Sequence, residues 1–444
     1  MALSTNPAIT RAIRLTFGFQ FFFGLLLWVP IFYAYQKQLG MSDAEIFGIQ
    51  SVYYIAFCLL EIPTGMVADR FDYRTSLVSG AGVLVAANLV PVFLGSYTGF
   101  LVHFLLIALA RSLISGAQSA YLYEFLHAHD AGHLYLKAEG VGRSYSLVGK
   151  IVFWPVIGLL MQWNTPSPYW LTAINAGIAV VLALKLPPIP GWTPTVGNGR
   201  TATVLAGVSG AFSALGRSRW LLLLMVQGVA MFTLVRIAQV NLFQPILEGK
   251  DLSVTWFGSV LAAMTVFEAL GAARPHLLRR KVGAARSVFL LTIVMAASLG
   301  LIVLVGPVVT VVLLCAFAVS SGVSFPIQKQ LLNDAIPDSR YRATLLSMES
   351  IIDRAVCAVV AVALGAYLAR GRLDEFLVTS AVVTCALMGL LGVLLVVFRR
   401  RRSTRTTATT TTPDRATADK ATDNATTDKA VADGAVTDRA PADR

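Results

Sequence analysis

The sequence predicts an all-α polytopic membrane protein, with 12 transmembrane helices arranged as two pseudo-symmetric six-helix bundles. Composition is the first observation behind this. Of 444 residues, 56% are hydrophobic and 14% charged, whereas a water-soluble domain carries nearer a quarter charged residues. The second is a series of twelve segments, each long and apolar enough to cross a bilayer as about 20 residues of helix. The third is a repeat that relates the two halves. Helices are the spanning form expected, because backbone groups in lipid must be satisfied within each segment.

The spans expected from hydropathy are 14–35, 46–68, 75–95, 100–126, 141–163, 168–186, 219–247, 253–273, 286–306, 308–333, 343–369 and 374–398. The first follows Arg11 and Arg14 and reads FGFQFFFGLLLWVPIFYAY. No small-residue cleavage site follows it, so it is read as a retained helix rather than a signal peptide. Residues 187–218 begin LPPIPGW and continue through Gly, Thr and Ser, the composition of a flexible connector. They separate an N-terminal bundle, 1–186, from a C-terminal bundle, 219–398. Residues 399–444 start basic and become Thr/Ala-rich with Asp at a near-pentad spacing. That tail has too little apolar bulk for a core and is expected to be disordered, with a regulatory or partner-binding role as an alternative.

The net charge of +12 would raise nucleic-acid binding in a soluble chain. Here the basic residues fall between apolar segments, so they are topology signals and no nucleic-acid partner is expected. With the N-terminus in the cytoplasm, 22 Lys and Arg up to Arg405 lie in the inner segments and four (Lys37, Lys250, Arg370, Arg372) on the outer side. That asymmetry predicts a multi-pass protein of the plasma membrane with both termini cytoplasmic. Cys58, Cys315, Cys357 and Cys385 lie in apolar stretches without metal-ligand spacing, so neither metal nor cofactor is expected.

The halves repeat each other in register. Span two ends in Glu61-Ile-Pro-Thr-Gly65 and span eight in Glu268-Ala-Leu-Gly271, 207 positions later. Span four carries Ser115-Gly116-Ala117 and span ten Ser321-Gly322-Val323, 206 positions apart. Two similar bundles commonly enclose a substrate site near the bilayer midplane.

After span two the chain reads Gly65-Met-Val-Ala-Asp69-Arg70-Phe-Asp72-Tyr73-Arg74. This is similar to the loop 2–3 signature of the major facilitator superfamily (MFS) of secondary transporters, with Asp72 at the second Gly and Tyr73 at the first following basic position. Asp enters the left-handed region more readily than most non-Gly residues, which suits a tight turn. Asn333-Asp334-Ala-Ile-Pro337 and Arg342-Ala-Thr-Leu-Leu-Ser347 resemble the loop 10–11 region of a bacterial branch of that superfamily. The resemblance covers residues 10–398. It implies the MFS fold, a small-molecule substrate, and a gate formed by Gly65, Asp69, Arg70 and Arg74 on the inner side. The alternatives are a helix cap at Asp69 and topology anchors at the arginines.

Ionisable side chains inside spans cost several kcal/mol in hydrocarbon unless paired or facing water. Ten are counted: Glu61, Arg111, Glu124, Lys150, Arg236, Glu268, Lys329, Glu349, Asp353 and Arg354. Glu61 and Glu268 are candidates for carrying a proton or for partnering nearby arginines. Arg111, in Ala-Arg111-Ser-Leu-Ile-Ser-Gly116, is similar to a family motif whose arginine is implicated in the proton coupling of exporters, with the Gly one position late. Glu124 lies 13 residues further on, about 20 Å along the helix, and either joins the coupling or reaches inner-face water. Lys150, Arg236 and Arg354 hold an anionic substrate or neutralise acids on other helices. Glu349 and Asp353 share a face of span eleven, where like charges repel unless one is protonated or a base intervenes. Trp154-Pro155-Val-Ile-Gly158 faintly resembles the Gly-Pro motif of drug exporters.

No Walker-type, His-Glu-x-x-His, Gly-x-Ser-x-Gly or Cys-x-x-Cys pattern occurs, so no ATPase part and no enzyme is expected. An existing ion gradient, most economically of protons, is the expected drive. Three functions follow: proton-coupled efflux of a small amphipathic compound (antibiotic resistance or metabolite export by antiport), proton-coupled uptake of a polar nutrient or organic acid, and a non-transporting sensor or scaffold that uses the tail. The lipid bilayer is the expected surroundings, and a monomer suits the resemblance.

Overall fold

A proline decides the shape of the first span. Pro30 lacks an N–H and its ring clashes with the carbonyl four residues back, so the helix cannot run through it. The chain leaves α1 (Pro7–Gly24) and re-enters helix only at α2 (Phe32–Gln38). The structure is a computed structural model. It describes the backbone of residues 6–70, 72–190, 218–273, 282–336 and 342–409, with 216 and 278 singly, and side chains there except at 62–63, 65–70, 342–344 and 396–409.

The groups released between Leu25 and Ala34 are bonded by side chains from three other spans. Trp154 Nε1 donates to the Leu26 carbonyl at 3.1 Å, the oxygen that Pro30 releases. Asn175 Nδ2 donates to Leu25 O at 3.3 Å, and Leu27 N donates to Thr172 Oγ1 at 3.0 Å. Gln244 Nε2 donates to Val29 O at 3.1 Å, while its Oε1 accepts from Tyr33 N at 3.1 Å and Ala34 N at 3.3 Å. Irregular backbone at membrane depth survives only when buried in protein and bonded in this way.

The remaining spans are α3 (Asp43–Arg70), α4 (Tyr73–Phe93), α5 (Tyr97–Ser115) with α6 (Ala117–His127), α7 (Tyr135–Phe153) with α8 (Ile157–Trp163), and α9 (Ser167–Leu184) in the first half. The second half holds α10 (Arg219–Arg236) with α11 (Phe243–Glu248), α12 (Val254–Ala273), α13 (Ala284–Ile302), α14 (Pro307–Ala335), α15 (Arg342–Leu368) and α16 (Leu373–Thr409). Pro155 tightens the join of α7 and α8 into a 3₁₀ turn, Trp154–Val156. A π turn, Ile237–Leu242, joins α10 and α11. The described residues hold no strand. Eleven of the twelve expected spans are long and apolar enough to cross a bilayer. The broken first span is the exception.

Residues 1–392 form one compact unit and 393–444 another. In the first, α3 lies along α15, and α12 lies along α7 and α8. These pairs, the second span with the eleventh and the eighth with the fifth, are what a two-fold relation between halves requires. In the second unit, helix continues past the expected end at 398 to Thr409. Arg399–Arg402 are good helix formers, and the next Pro is Pro413. Most of the connector at 187–218 and the tail beyond 409 lie outside the described residues.

Side chains cap several entries. Asp72 accepts from Arg74 N at 3.4 Å at the start of α4, Ser96 from Gly99 N at 3.3 Å, and Ser218 from Leu221 N at 3.3 Å. Around the break, Trp28 packs against His103, Phe104 and Tyr169, with ring centroids 5.1, 5.6 and 5.9 Å away. Trp28 and Phe104 of this aromatic block also line a cavity.

Candidate functional site: a charged cavity between the two halves

A cavity of about 540 Å³ lies near mid-depth, lined from both halves. Its apolar wall comes from the broken span (Phe23, Leu26, Trp28, Phe32), from Phe104 and Ile107, and across from Leu261 and Met264. Its polar wall carries Gln50, Tyr53, Arg111, Arg143, Ser146, Lys150, Gln239, Thr265 and Glu268.

The hydrogen bonds there are few. Arg111 Nη1 donates to Tyr53 Oη at 3.3 Å, and Gln239 Nε2 donates to Glu268 Oε2 at 3.0 Å. Gln239 stands in the π turn, whose extra residue re-aims side chains relative to an α-helix. Lys150 Nζ lies 5.6 Å from the centre of the Trp154 ring.

Beside the cavity, four of the other span charges pair. Asp353, 2% exposed, accepts from Arg236 Nη2 at 2.7 Å and Nε at 3.1 Å, and from Thr233 Oγ1 at 3.1 Å. Arg354 Nη1 donates to Glu61 Oε2 at 2.9 Å and to Ser350 Oγ at 2.9 Å, with its guanidinium 3.7 Å from the centre of Phe57. Tyr54 Oη donates to Asn241 Oδ1 at 2.7 Å, a further bond between halves. Glu349 is 4% exposed, and its Oε1 has no hydrogen-bond partner among the described residues.

On the side opposite the termini the halves touch directly. A Cβ at Gly258 would collide with the carbonyl oxygen of Trp154, and one at Gly158 with the backbone of Thr255. The three bonds of Gln244 to the first span reinforce the same side.

Of the residues singled out in the sequence, Arg111, Lys150 and Glu268 share the cavity. Glu61, Arg236, Asp353 and Arg354 form the neighbouring ion pairs. Glu124 is exposed on α6 and is not among the lining residues. Lys329 is exposed with its Nζ 5.2 Å from the centre of Phe325. Arg74 donates to the carbonyl of Leu184 at the end of the sixth span. The side chains of Gly65, Asp69 and Arg70 lie outside the described residues. Arg143, Gln239, Tyr53 and Gln50 line the cavity without having been singled out. Arg143 was within the expected fifth span but close enough to its start to pass as a topology residue. A cluster of metal-ligating type is absent among the described residues.

Two six-helix halves around a mid-depth polar cavity define a membrane transporter of the secondary class. The family model described as Major Facilitator Superfamily matches residues 14–352, and the chain belongs to that family. Among solved structures, the chain is similar to the nucleoside transporter NupG, with 14% identity and a TM-score of 0.72 over 88% of this chain and 99% of that one. It is also similar to a POT family transporter in complex with 5-aminolevulinic acid (13% identity, TM-score 0.67, 87% and 94% covered). An auto-inhibited POT family peptide transporter matches at 13% identity and TM-score 0.65, over 86% and 96%. At such identities the likeness is one of fold. Among curated proteins, no sequence matches this chain.

Proposed function

We propose that this secondary transporter sits in the plasma membrane with both termini cytoplasmic and exports a small amphipathic compound in exchange for protons, by alternating access. The observation that carries the reading is the cavity itself, with both aromatic and charged residues in its lining, between halves that touch on the side away from the termini. A compound entering from the terminal side meets Trp28 and Phe104 for its apolar part and the polar wall for the rest. The Trp154-Pro155 turn and Gly158, faintly like the drug-exporter motif, form the contact that must part for release outward.

The candidate coupling groups divide by their partners. Glu61 and Asp353 are each held by an arginine, which suits a charge pair that breaks and reforms with helix movement. Glu349 is buried without such a partner. A carboxyl there is a place for a proton, because burying a bare charge costs far more than burying a neutral acid. Glu268 faces the cavity and can exchange a proton as substrate arrives. Arg111, in the same cavity, couples the two, while exposed Glu124 serves the inner surface. Gly65, Asp69, Arg70 and Arg74 form the inner gate that the motif implies, with the Arg74 contact to Leu184 tying the second loop to the sixth span.

A second reading, proton-coupled uptake of a polar nutrient or organic acid, is favoured by the cationic excess in the cavity and by the polar compounds in the names of its structural neighbours. A sensor or scaffold acting through the tail is the third. Its test is deletion of 403–444, which should leave transport intact.

The export reading is tested by growth inhibition across a compound panel, comparing cells that express the wild type with cells that express Arg111→Ala or Asp69→Asn at matched membrane levels. Export predicts protection by the wild type alone, with accumulation restored by a protonophore. Equal sensitivity of wild type and empty vector across the panel contradicts it.

A further inference from the structure

Two arginines beside the cavity are held differently from the cations that line it. Arg236 and Arg354 each have their own carboxylate, Asp353 and Glu61 respectively. Inside it, Arg111, Arg143 and Lys150 stand against the single acid Glu268. That acid already accepts from Gln239. Among the described residues, none of the three cations has a carboxylate in ion-pair contact. Arg111 donates to the neutral hydroxyl of Tyr53, and Lys150 lies over the ring of Trp154.

Charges at membrane depth are kept only when they are paired or serve what passes through. Three cations converging on one cavity repel each other, and a bound anion is what relieves that repulsion. The lining also includes the aromatic rings of Trp28, Phe104 and Phe32. A volume of about 540 Å³ lies within the usual range for small-molecule sites.

We infer that the cavity binds a small organic anion, a carboxylate on a flat apolar body, its charged end between Arg111, Arg143 and Lys150 and its ring against Trp28 and Phe104. This rests on taking the cavity as the substrate site of the proposed transporter, and it holds for either direction of transport. Guanidinium groups pair with carboxylates in bidentate fashion, and the ammonium of Lys150 adds a third donor group. The same three cations reject amphipathic amines of equal size, so selectivity comes from repulsion as well as attraction.

The test uses the full chain in nanodiscs of neutral phosphatidylcholine, so that no lipid anion competes. Three probes share one ring system: indole-3-acetate, its methyl ester and tryptamine. Calorimetric titration should find the acid binding at least about tenfold tighter than the ester, with tryptamine weakest. Arg111→Gln and Lys150→Gln should each remove that preference for acid over ester, whereas Arg372→Gln, in an exposed pair with Glu375, should leave it unchanged. Ester or amine binding as tight as the acid overturns the inference, as does acid binding untouched by both cavity variants or no binding by any probe. Acid that binds but crosses a proteoliposome bilayer no faster than in empty liposomes leaves the anion site standing and removes the transport reading. Transport of an amine without acid binding does the reverse.

Discussion

Arg354 in the eleventh span donates to Glu61 in the second at 2.9 Å, tying one half of the protein to the other. The other pair of packed spans carries a similar couple, since Glu268 lies 207 positions after Glu61 and Lys150 stands in the fifth span, the equivalent of the eleventh. The first pair is closed. In the second, Glu268 bonds to Gln239 and Lys150 leans on Trp154, with the cavity at hand. The two pairs of packed spans therefore hold one made bridge and one acid and base left unbridged, as expected of halves that exchange contacts during a cycle.

Separating the made bridge should loosen the halves. The Arg354 and Glu61 side chains are 15% and 25% exposed, so Arg354→Ala should cost about 1–2 kcal/mol, less than a fully buried pair. Thermal unfolding in detergent checks the size. In a double-mutant cycle with Glu61→Gln, the effects should fall well short of adding.

Arg236→Ala should be the harsher change. It leaves Asp353, 2% exposed, with only Thr233 and Cys357 beside it, and an uncompensated buried charge costs about 3–5 kcal/mol. Lys150→Gln removes no ion pair and should leave stability within about 1 kcal/mol while impairing transport. Expression-matched melting curves and transport assays on both variants separate a structural cation from a functional one.

Gln244→Leu removes three hydrogen bonds to the first span, one at its unwound stretch and two at the start of α2. Two backbone N–H groups and one carbonyl lose their partner in a buried setting, at about 1–3 kcal/mol for each group left unsatisfied. Hydrogen exchange should rise at Tyr33 and Ala34 before it rises elsewhere.

Gly258→Val places side-chain atoms where the Trp154 carbonyl sits. The fifth and eighth spans must part, and the cavity should become reachable from the side opposite the termini. A reporter cysteine at Thr265, which lines the cavity, should then react several-fold faster with an impermeant maleimide added to that side. An unchanged rate contradicts the assignment of this contact as the outer closure.

Much of the fold was legible because it depends on local patterns. Apolar runs of span length and the register of Glu61 with Glu268 were enough for two bundles. Charges standing in those runs, such as Lys150 and Glu349, were visible for the same reason. Their partners were not, since Arg236 meets Asp353 across 117 positions and helix rotation decides the meeting. The break in the first span was half legible. Pro30 was in plain view, but the side chains that make a break tolerable, Trp154, Thr172, Asn175 and Gln244, come from distant spans. Arg143 was hidden by its place near a span start, where a basic residue ordinarily marks topology.

Glu349→Gln keeps the shape of a neutral acid but cannot release a proton. In proteoliposomes, exchange of labelled for unlabelled substrate should persist, while accumulation driven by a proton gradient should fall to the level of empty liposomes. Loss of both would assign Glu349 to folding or binding instead of coupling.

The central claim, that this family member moves a small amphipathic compound against protons, is tested most directly in acidified everted vesicles that contain the wild-type chain. Adding a transported compound should drive protons out, seen as a saturable recovery of a pH-sensitive dye that Arg111→Gln and a protonophore both abolish. A compound that enters the vesicles with no movement of protons, or with protons moving in the same direction, would contradict it.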